Sequence, residues 1–164
     1  MLDLIGKIRA LILKLAGALD WLPATLARLC VGWVFLESGW GKVHDLGRVT
    51  EFFRSLGIPA PELQAPLASY TELVCGALLL AGLFTRLASV PLIVTMAVAI
   101  LTAKKAELMG VSELYGFIEY LYILLMIYLG VKGPGPLSID YLLVRQLVEK
   151  EEAGTAPSGV TATA

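Results

Sequence analysis

The sequence predicts an all-α integral membrane protein, a bundle of four transmembrane helices with amphipathic helices at the membrane surface. Hydrophobic residues make up 57% of the 164 residues and charged residues only 16%, whereas soluble domains carry about 25% charge. The mean hydropathy is +0.77. Apolar segments of nearly the length that crosses a bilayer core, about 20 residues, recur four times along the chain. No basic and aromatic pattern points to a nucleic-acid partner.

Residues 1–21 are predicted to form an amphipathic helix that lies in the membrane interface. Apolar side chains recur there at helical spacing, and Asp3, Lys7 and Lys14 share the other side. The acid near the start and the lysine within the apolar stretch argue against a cleaved signal peptide. The apolar side consists of Leu4, Ile5, Ile8, Leu11, Ile12 and Leu15.

The membrane domain is predicted over residues 22–131, because its four apolar segments lie there. The spans are predicted at 22–41, 66–84, 87–103 and 113–131. The third is the shortest and holds Pro91 near its start, where a helix tolerates proline. Thr85 and Arg86 would form the tight turn before it.

An even number of spans places both termini on one side of the membrane. Basic residues near the spans are somewhat more numerous on that side, which favours cytoplasmic termini and the cell inner membrane. The terminal side would carry Lys7, Arg9, Lys14, Arg86, Lys132, Arg145 and Lys150, and the other side Lys42, Arg48, Arg54, Lys104 and Lys105.

Two further surface helices are predicted outside the spans. The first covers 45–57, where Asp45 is a helix N-cap and Gly57 ends an apolar-sided segment. The second lies within 132–150, after the sequence "GPGP" has stopped the preceding helix. The small, polar residues 151–164 are predicted to be a disordered tail.

Ionisable residues inside the spans are the main candidates for a site. Each costs about 2.5–3.5 kcal/mol on insertion scales, and such residues usually face the bundle interior. At 1.5 Å rise per residue, Glu37, Glu72 and Glu119 all come out about 8 Å inside the outer boundary. We therefore expect one acidic layer shared by three helices, with Lys42 as its counter-ion. Arg28, near the other end of the first span, is expected to be a structural polar residue that reaches lipid phosphates.

The first predicted span has two different faces. Arg28, Gly32, Phe35, Gly39 and Lys42 share one face, whereas Glu37 points nearly to the opposite side. Small residues let helix backbones approach closely. The glycines therefore predict either a homodimer contact or close packing within the chain.

Tyrosines near Glu119 suggest what the acidic layer could bind. Tyr115 and Tyr122 lie one turn to either side of Glu119 on the predicted helix. Tyrosine hydroxyls beside an acid suit a flat, oxygen-bearing ligand such as a quinone. Three carboxyl groups in one apolar layer cannot all be charged cheaply, so we expect at least one to hold a proton that it can exchange. The simpler alternative is that the tyrosines satisfy the acids and fill space.

The sequence gives no sign of a cofactor held by the chain itself. Cys30 and Cys75 lack CxxC spacing and read as small hydrophobic residues. His44 is the single histidine, and a lone imidazole does not make a metal site. No metal site is therefore predicted, and whether the chain is catalytic stays open.

Two longer segments and one short motif resemble the DoxX family of small bacterial membrane proteins. The segments are "ARLCVGWVFLESGWGKV" and "LGIPAPELQAPLASYTELVCGALLLAGLFTRLAS", and the motif is "GPGPLSID". The resemblance covers about residues 27–140. It implies a four-helix membrane protein and a link to respiratory redox chemistry, since relatives include the membrane subunit of a thiosulfate:quinone oxidoreductase. It assigns no role to individual residues.

The function predicted from these observations is that of a DoxX-like membrane subunit associated with redox chemistry. It would bind a quinone or similar ligand at the acidic layer, and a soluble or membrane partner would supply electrons. One alternative is a scaffold that binds partner proteins without catalysis. A less favoured alternative is a transporter of a small solute or of protons. Transporters are usually built from inverted repeats, which are harder to form from a single bundle of four helices.

Overall fold

The computed structural model describes residues 2–146, with side chains from residue 4 onward, and within this range its regular secondary structure is entirely α-helical. The predicted tail and the last residues of the predicted C-terminal helix lie outside the described range. The helices are α1 (Leu2–Ala18), α2 (Trp21–His44), α3 (Leu46–Ser55), α4 (Pro61–Ala81), α5 (Thr85–Thr102), α6 (Val111–Gly116), α7 (Ile118–Lys132) and α8 (139–146).

Two helices, α4 and α5, are each long and apolar enough to cross a membrane. The segments Leu4–Ala18 and Trp21–His44 meet the same criterion only as a pair, bent by 42°. Helix α2 has the required length but carries Arg28, Glu37 and Lys42, and α7 has only 15 residues. The helices thus give an integral membrane protein with two or three spans by length and composition, and the count of four stays a prediction.

Helices α2 and α4 pack antiparallel at unusually close range, because glycines line their contact. A Cβ added at Gly32, Gly39 or Gly76 would lie within 3.0 Å of backbone atoms of the facing helix. Only the missing side chains allow this approach. The glycine face of α2, which could have formed a homodimer contact, is therefore covered by α4 of the same chain. A homodimer would need another surface.

The core lies where α2, α4, α5 and α7 meet. Phe35 of α2, Leu79 of α4, Leu92 of α5 and Met126 of α7 are buried there in one apolar cluster. Most other large apolar side chains point outward, including those of the apolar side of α1. In water such a surface would be unfavourable, but it suits contact with lipid.

The loop between α2 and α4 contains the predicted surface helix. The Asp45 carboxylate accepts the backbone N–H of Arg48 at 3.1 Å and caps α3. Gly57 ends the segment with a φ of 70°. Arg54 donates to Glu62 at 2.6 Å and links α3 to α4, and this bond together with the charge of Glu51 raises the pKa of Arg54.

Three helix boundaries differ from those of the predicted segments. Helix α4 begins at Pro61 instead of residue 66, since proline suits a first helical position. The turn before α5 lies at residues 82–84, where Gly82 and Phe84 have positive φ, so Thr85 already belongs to the helix. The segment predicted as one helix over 113–131 is interrupted at Phe117, whose extended backbone separates α6 from α7.

Candidate functional site

A buried ion pair joins α2 to α4. Lys42 Nζ lies 2.6 Å from both carboxylate oxygens of Glu72, and Ser38 Oγ donates to Glu72 Oε2 at 2.8 Å. Glu72 is 1% exposed. The side chain of Lys42 is 36% exposed and reaches the carboxylate from the end of α2. Both carboxylate oxygens therefore have donors, and the charge of Glu72 is balanced within the protein.

Glu37 does not join this pair, contrary to the expected layer of three acids. It is exposed on the outer side of α2, as are the neighbouring Trp33 and Trp40. Glu37 and Lys42 are five positions apart, and five residues turn an α-helix through about 140° beyond one full turn. The equal membrane depth predicted for the three acids therefore did not mean that their side chains point into the same site.

Glu119 does lie at the level of the ion pair. Helices α2 and α7 are antiparallel, as shown by the Asp20–Lys132 ion pair at 2.7 Å and the Phe35–Tyr122 ring contact at 5.6 Å. Ser38 follows Phe35 by three residues, and Glu119 precedes Tyr122 by three. The two thus lie at the same height along the bundle. The level predicted for two of the three acids agrees with this register.

A cleft of about 490 Å³ opens beside Glu119. It exists because the chain is interrupted at Phe117, which separates α6 from α7. Glu119 Oε2 is buried and has no hydrogen-bond partner among the described residues. A buried carboxylate oxygen without a donor is costly, so this atom is the natural contact for a ligand donor or proton. The cleft is lined by Lys104, Glu107, Glu113, Gly116, Phe117, Ile118 and Glu119.

The two candidate tyrosines are placed differently. Tyr122 is half-buried and packs edge-on against Phe35. Tyr115 is exposed and has its ring against Tyr120 at 5.5 Å, and it is not among the residues that line the cleft. Tyr122 can therefore support the wall behind Glu119, whereas Tyr115 lies at the surface.

Several lining residues of the cleft were not among the predicted candidates. Lys104 binds both carboxylate oxygens of Glu107 at 3.2 Å, and its Nζ lies 5.7 Å from the centre of the Phe117 ring. These residues lie in or next to the connection between the third and fourth predicted spans, where the charged side chains were the available signal. Within residues 2–146 no group of His, Cys, Asp and Glu side chains could hold a metal ion.

Arg28 was expected to reach lipid phosphates, but its side chain turns into the protein instead. Its guanidinium donates to the carbonyl oxygens of Leu79, Leu80 and Leu137 at 2.6–3.2 Å, and the residue is buried. Two of these carbonyls belong to the last turn of α4, whose carbonyls have no partners within the helix. Arg28 therefore fixes the end of α4 to the segment before α8.

Asp140 completes this structural cluster at the same end of the bundle. Its two carboxylate oxygens accept the backbone N–H groups of Phe84 at 2.8 Å and Thr85 at 3.1 Å. Because these amides begin α5, the "GPGPLSID" segment caps a helix that is distant in sequence. The polar groups at this end thus hold helices together, although Thr85 Oγ1 and Arg28 Nε are buried there without a hydrogen-bond partner among the described residues. Glu119 Oε2 lies at the other end.

Comparison with known proteins identifies one matching family and two related bacterial proteins. The sequence profile of the DoxX family matches residues 24–105. The "Uncharacterized membrane protein Rv3486" of Mycobacterium tuberculosis is 37% identical over 132 residues, which cover 73% of this chain and 80% of that protein. The "Putative oxidoreductase CatD" of Bacillus subtilis is 34% identical over 116 residues, or 70% of this chain and 82% of that protein.

No solved structure matches the chain. The family profile covers the paired helices α2 and α4, the loop helix α3, and α5. Both relatives are aligned over most of their own length. This chain therefore belongs to the DoxX family of membrane proteins.

Proposed function

We propose that the chain is a membrane subunit of a redox system and that it binds the headgroup of a quinone or similar molecule in the cleft beside Glu119. The observation that carries the proposal is the buried, unpartnered Oε2 of Glu119 at the edge of this cleft. The name of the Bacillus subtilis relative supports the redox association. A soluble or membrane partner supplies the electrons.

Two residues of the cleft support the proposal of a quinone headgroup. Phe117 provides an aromatic wall, and Glu119 provides an oxygen that accepts a hydrogen bond from a hydroxyl group of the reduced ligand. Reduction of a quinone to a quinol takes up two electrons from the partner and two protons. In this proposal Glu119, in its protonated form, donates one proton and solvent supplies the other. The carboxylate of Glu72, at the same level, already has donors in Lys42 and Ser38.

Quinone binding by purified protein tests the proposal. We expect saturable binding of a short-chain ubiquinone or menaquinone, measured by calorimetric titration in neutral detergent. Glu119→Gln should weaken it about tenfold or more, since a hydrogen bond to a charged group contributes about 1.5–3 kcal/mol. Glu37→Gln is the matched control, because it alters an acid of the same length on the exposed side of α2. Equal affinities for the two variants would refute the site.

The same variants distinguish a partner-binding scaffold, the second candidate function. That function is supported by the exposed face of α2, where Glu37 lies between Trp33 and Trp40 on a helix that packs on its other side against α4. A scaffold predicts no saturable quinone binding, and release of a co-purifying protein by Glu37→Gln but not by Glu119→Gln.

For the membrane topology we propose four crossings, by α2, α4, α5 and the α6–α7 pair, with both termini in the cytoplasm of the cell inner membrane. The antiparallel contacts of α2 with α4 and with α7 support this arrangement. A reporter fused after residue 164 should be active in the cytoplasm, and one inserted near Ala106 should be active on the outer side. If both reporters were active on the same side, the α6–α7 pair would not cross the membrane, and the proposed topology would be refuted.

A further inference from the structure

A second and larger groove lies at the opposite end of the bundle from the Glu119 cleft. Its volume is about 800 Å³. It runs between the start of α5, the turn after α7, and α8. This is the end at which α4 stops and α5 begins, so the groove lies at one end of two helices that are each long and apolar enough to cross a membrane.

Arg86 is the cation of this groove that remains available. It is exposed and has no hydrogen-bond or ion-pair partner within residues 2–146. The other charged groups in the groove are already engaged. Lys132 binds both oxygens of Asp20 at 2.7 Å, and Asp140 accepts two backbone N–H groups. An anion that entered the groove would therefore meet the guanidinium of Arg86 without a competing carboxylate.

Apolar side chains continue from this cation along the groove. Phe84, Leu87, Leu143 and Val144 line it and are exposed, Leu87 to 71%. A cation beside an apolar wall, at the level where spans meet the membrane surface, matches the two parts of a phospholipid. Its phosphate would pair with the planar guanidinium, which binds phosphate through two parallel hydrogen bonds, and an acyl chain would cover the apolar wall.

We propose that this groove binds one anionic phospholipid, whose phosphate is held by Arg86 and whose acyl chain lies along Leu87, Leu143 and Val144. The proposal does not depend on quinone binding, because the two clefts lie at opposite ends of the bundle. The bound lipid would link α5 to α8 at the membrane surface, where Asp140 already connects the same two segments.

Native mass spectrometry of the purified full-length chain, with phosphatidylglycerol and phosphatidylcholine added in neutral detergent, tests this proposal. We expect one phosphatidylglycerol to be retained per chain, and retention to fall about tenfold in Arg86→Gln. Arg86→Lys should lie between, since lysine keeps the charge but lacks the planar pair of donors. The control is Arg48→Gln, which removes another exposed arginine, from α3 at the other end of the bundle, and should leave retention unchanged.

Three outcomes would overturn the proposal. The first is equal retention of phosphatidylglycerol by wild type and Arg86→Gln. The second is equal retention of phosphatidylcholine, whose phosphate is balanced by a choline cation, because it would show that the groove does not select an anionic lipid. The third is complete displacement of the lipid by millimolar inorganic phosphate, which would identify a site for free phosphate. Unchanged thermal unfolding of both glutamine variants in lipid-free detergent shows that the fold is intact.

Discussion

Gly39→Val is expected to destabilise the bundle by about 3 kcal/mol or more, the upper end of the usual cost of overpacking a core. A Cβ at Gly39 would lie within 3.0 Å of the backbone of Leu73 and Glu72. A backbone cannot move aside as a flexible side chain does. Helix α2 would have to shift away from α4, and the Lys42–Glu72 contact one turn further on would lengthen with it.

Gly41→Val is the matched control for this substitution. Gly41 belongs to the same helix, two residues further on, and a Cβ there has nothing within 4 Å. Valine is slightly better than glycine inside a helix, so the control should unfold at or above the wild-type temperature. Thermal unfolding of both variants in detergent, followed by circular dichroism, gives the comparison. A Gly39→Val protein as stable as Gly41→Val would mean that α2 and α4 do not pack this closely.

The glycines show how far the sequence could predict the packing. Gly32 and Gly39 lie on one side of α2, and that spacing alone indicates a close helix contact. It does not identify the helix on the other side, because any small-residue face accepts a partner from the same chain or from another. The structure identifies that helix as α4, because Gly76 of α4 lies against the backbone of Leu36 in the same contact.

The acids show which part of a site follows from periodicity. Rise per residue fixes height, so the common level of Glu72 and Glu119 could be predicted before any coordinates. Direction was more difficult. The spacing between Glu37 and Lys42 already placed them on different sides of α2, but only the packing with α4 shows which side is interior.

The break at Phe117 and the role of Arg28 could not be predicted from local pattern. No proline marks the break, and the apolar residues continue through it with only Gly116 as a weak signal. Arg28 binds carbonyl groups that lie more than 50 residues away in sequence. Such contacts depend on where loops and helix ends meet in space, which helical periodicity does not determine.

Lys42→Met should be the most destabilising change at the buried ion pair, at about 3–5 kcal/mol. Methionine has nearly the length of lysine and no charge, so packing is largely preserved. Glu72, at 1% exposure, would then retain only the hydroxyl of Ser38 as a donor. A buried carboxylate without its counter-ion cannot regain hydration unless the helices separate.

Glu72→Gln should cost less, about 1–2 kcal/mol, although it breaks the same pair. The reason is the unequal burial of the two partners. Lys42 lies at the end of α2 with 36% of its side chain exposed, and it can turn its ammonium group towards water or lipid headgroups. The amide of the new glutamine can still accept from Ser38, so no buried charge is left without a partner.

The double variant Lys42→Met with Glu72→Gln distinguishes two reasons why Lys42→Met could be destabilising, namely a buried charge left without a partner and the simple loss of a contact. If the single Lys42→Met change is costly because it leaves Glu72 charged and buried, the double variant should be more stable than Lys42→Met alone. Urea or thermal unfolding in detergent measures all four proteins, with Lys105→Met as a control for an exposed lysine. Additive costs would show that the two side chains do not interact. Recovery in the double variant would show that the chain needs charge balance inside the membrane more than it needs either charge.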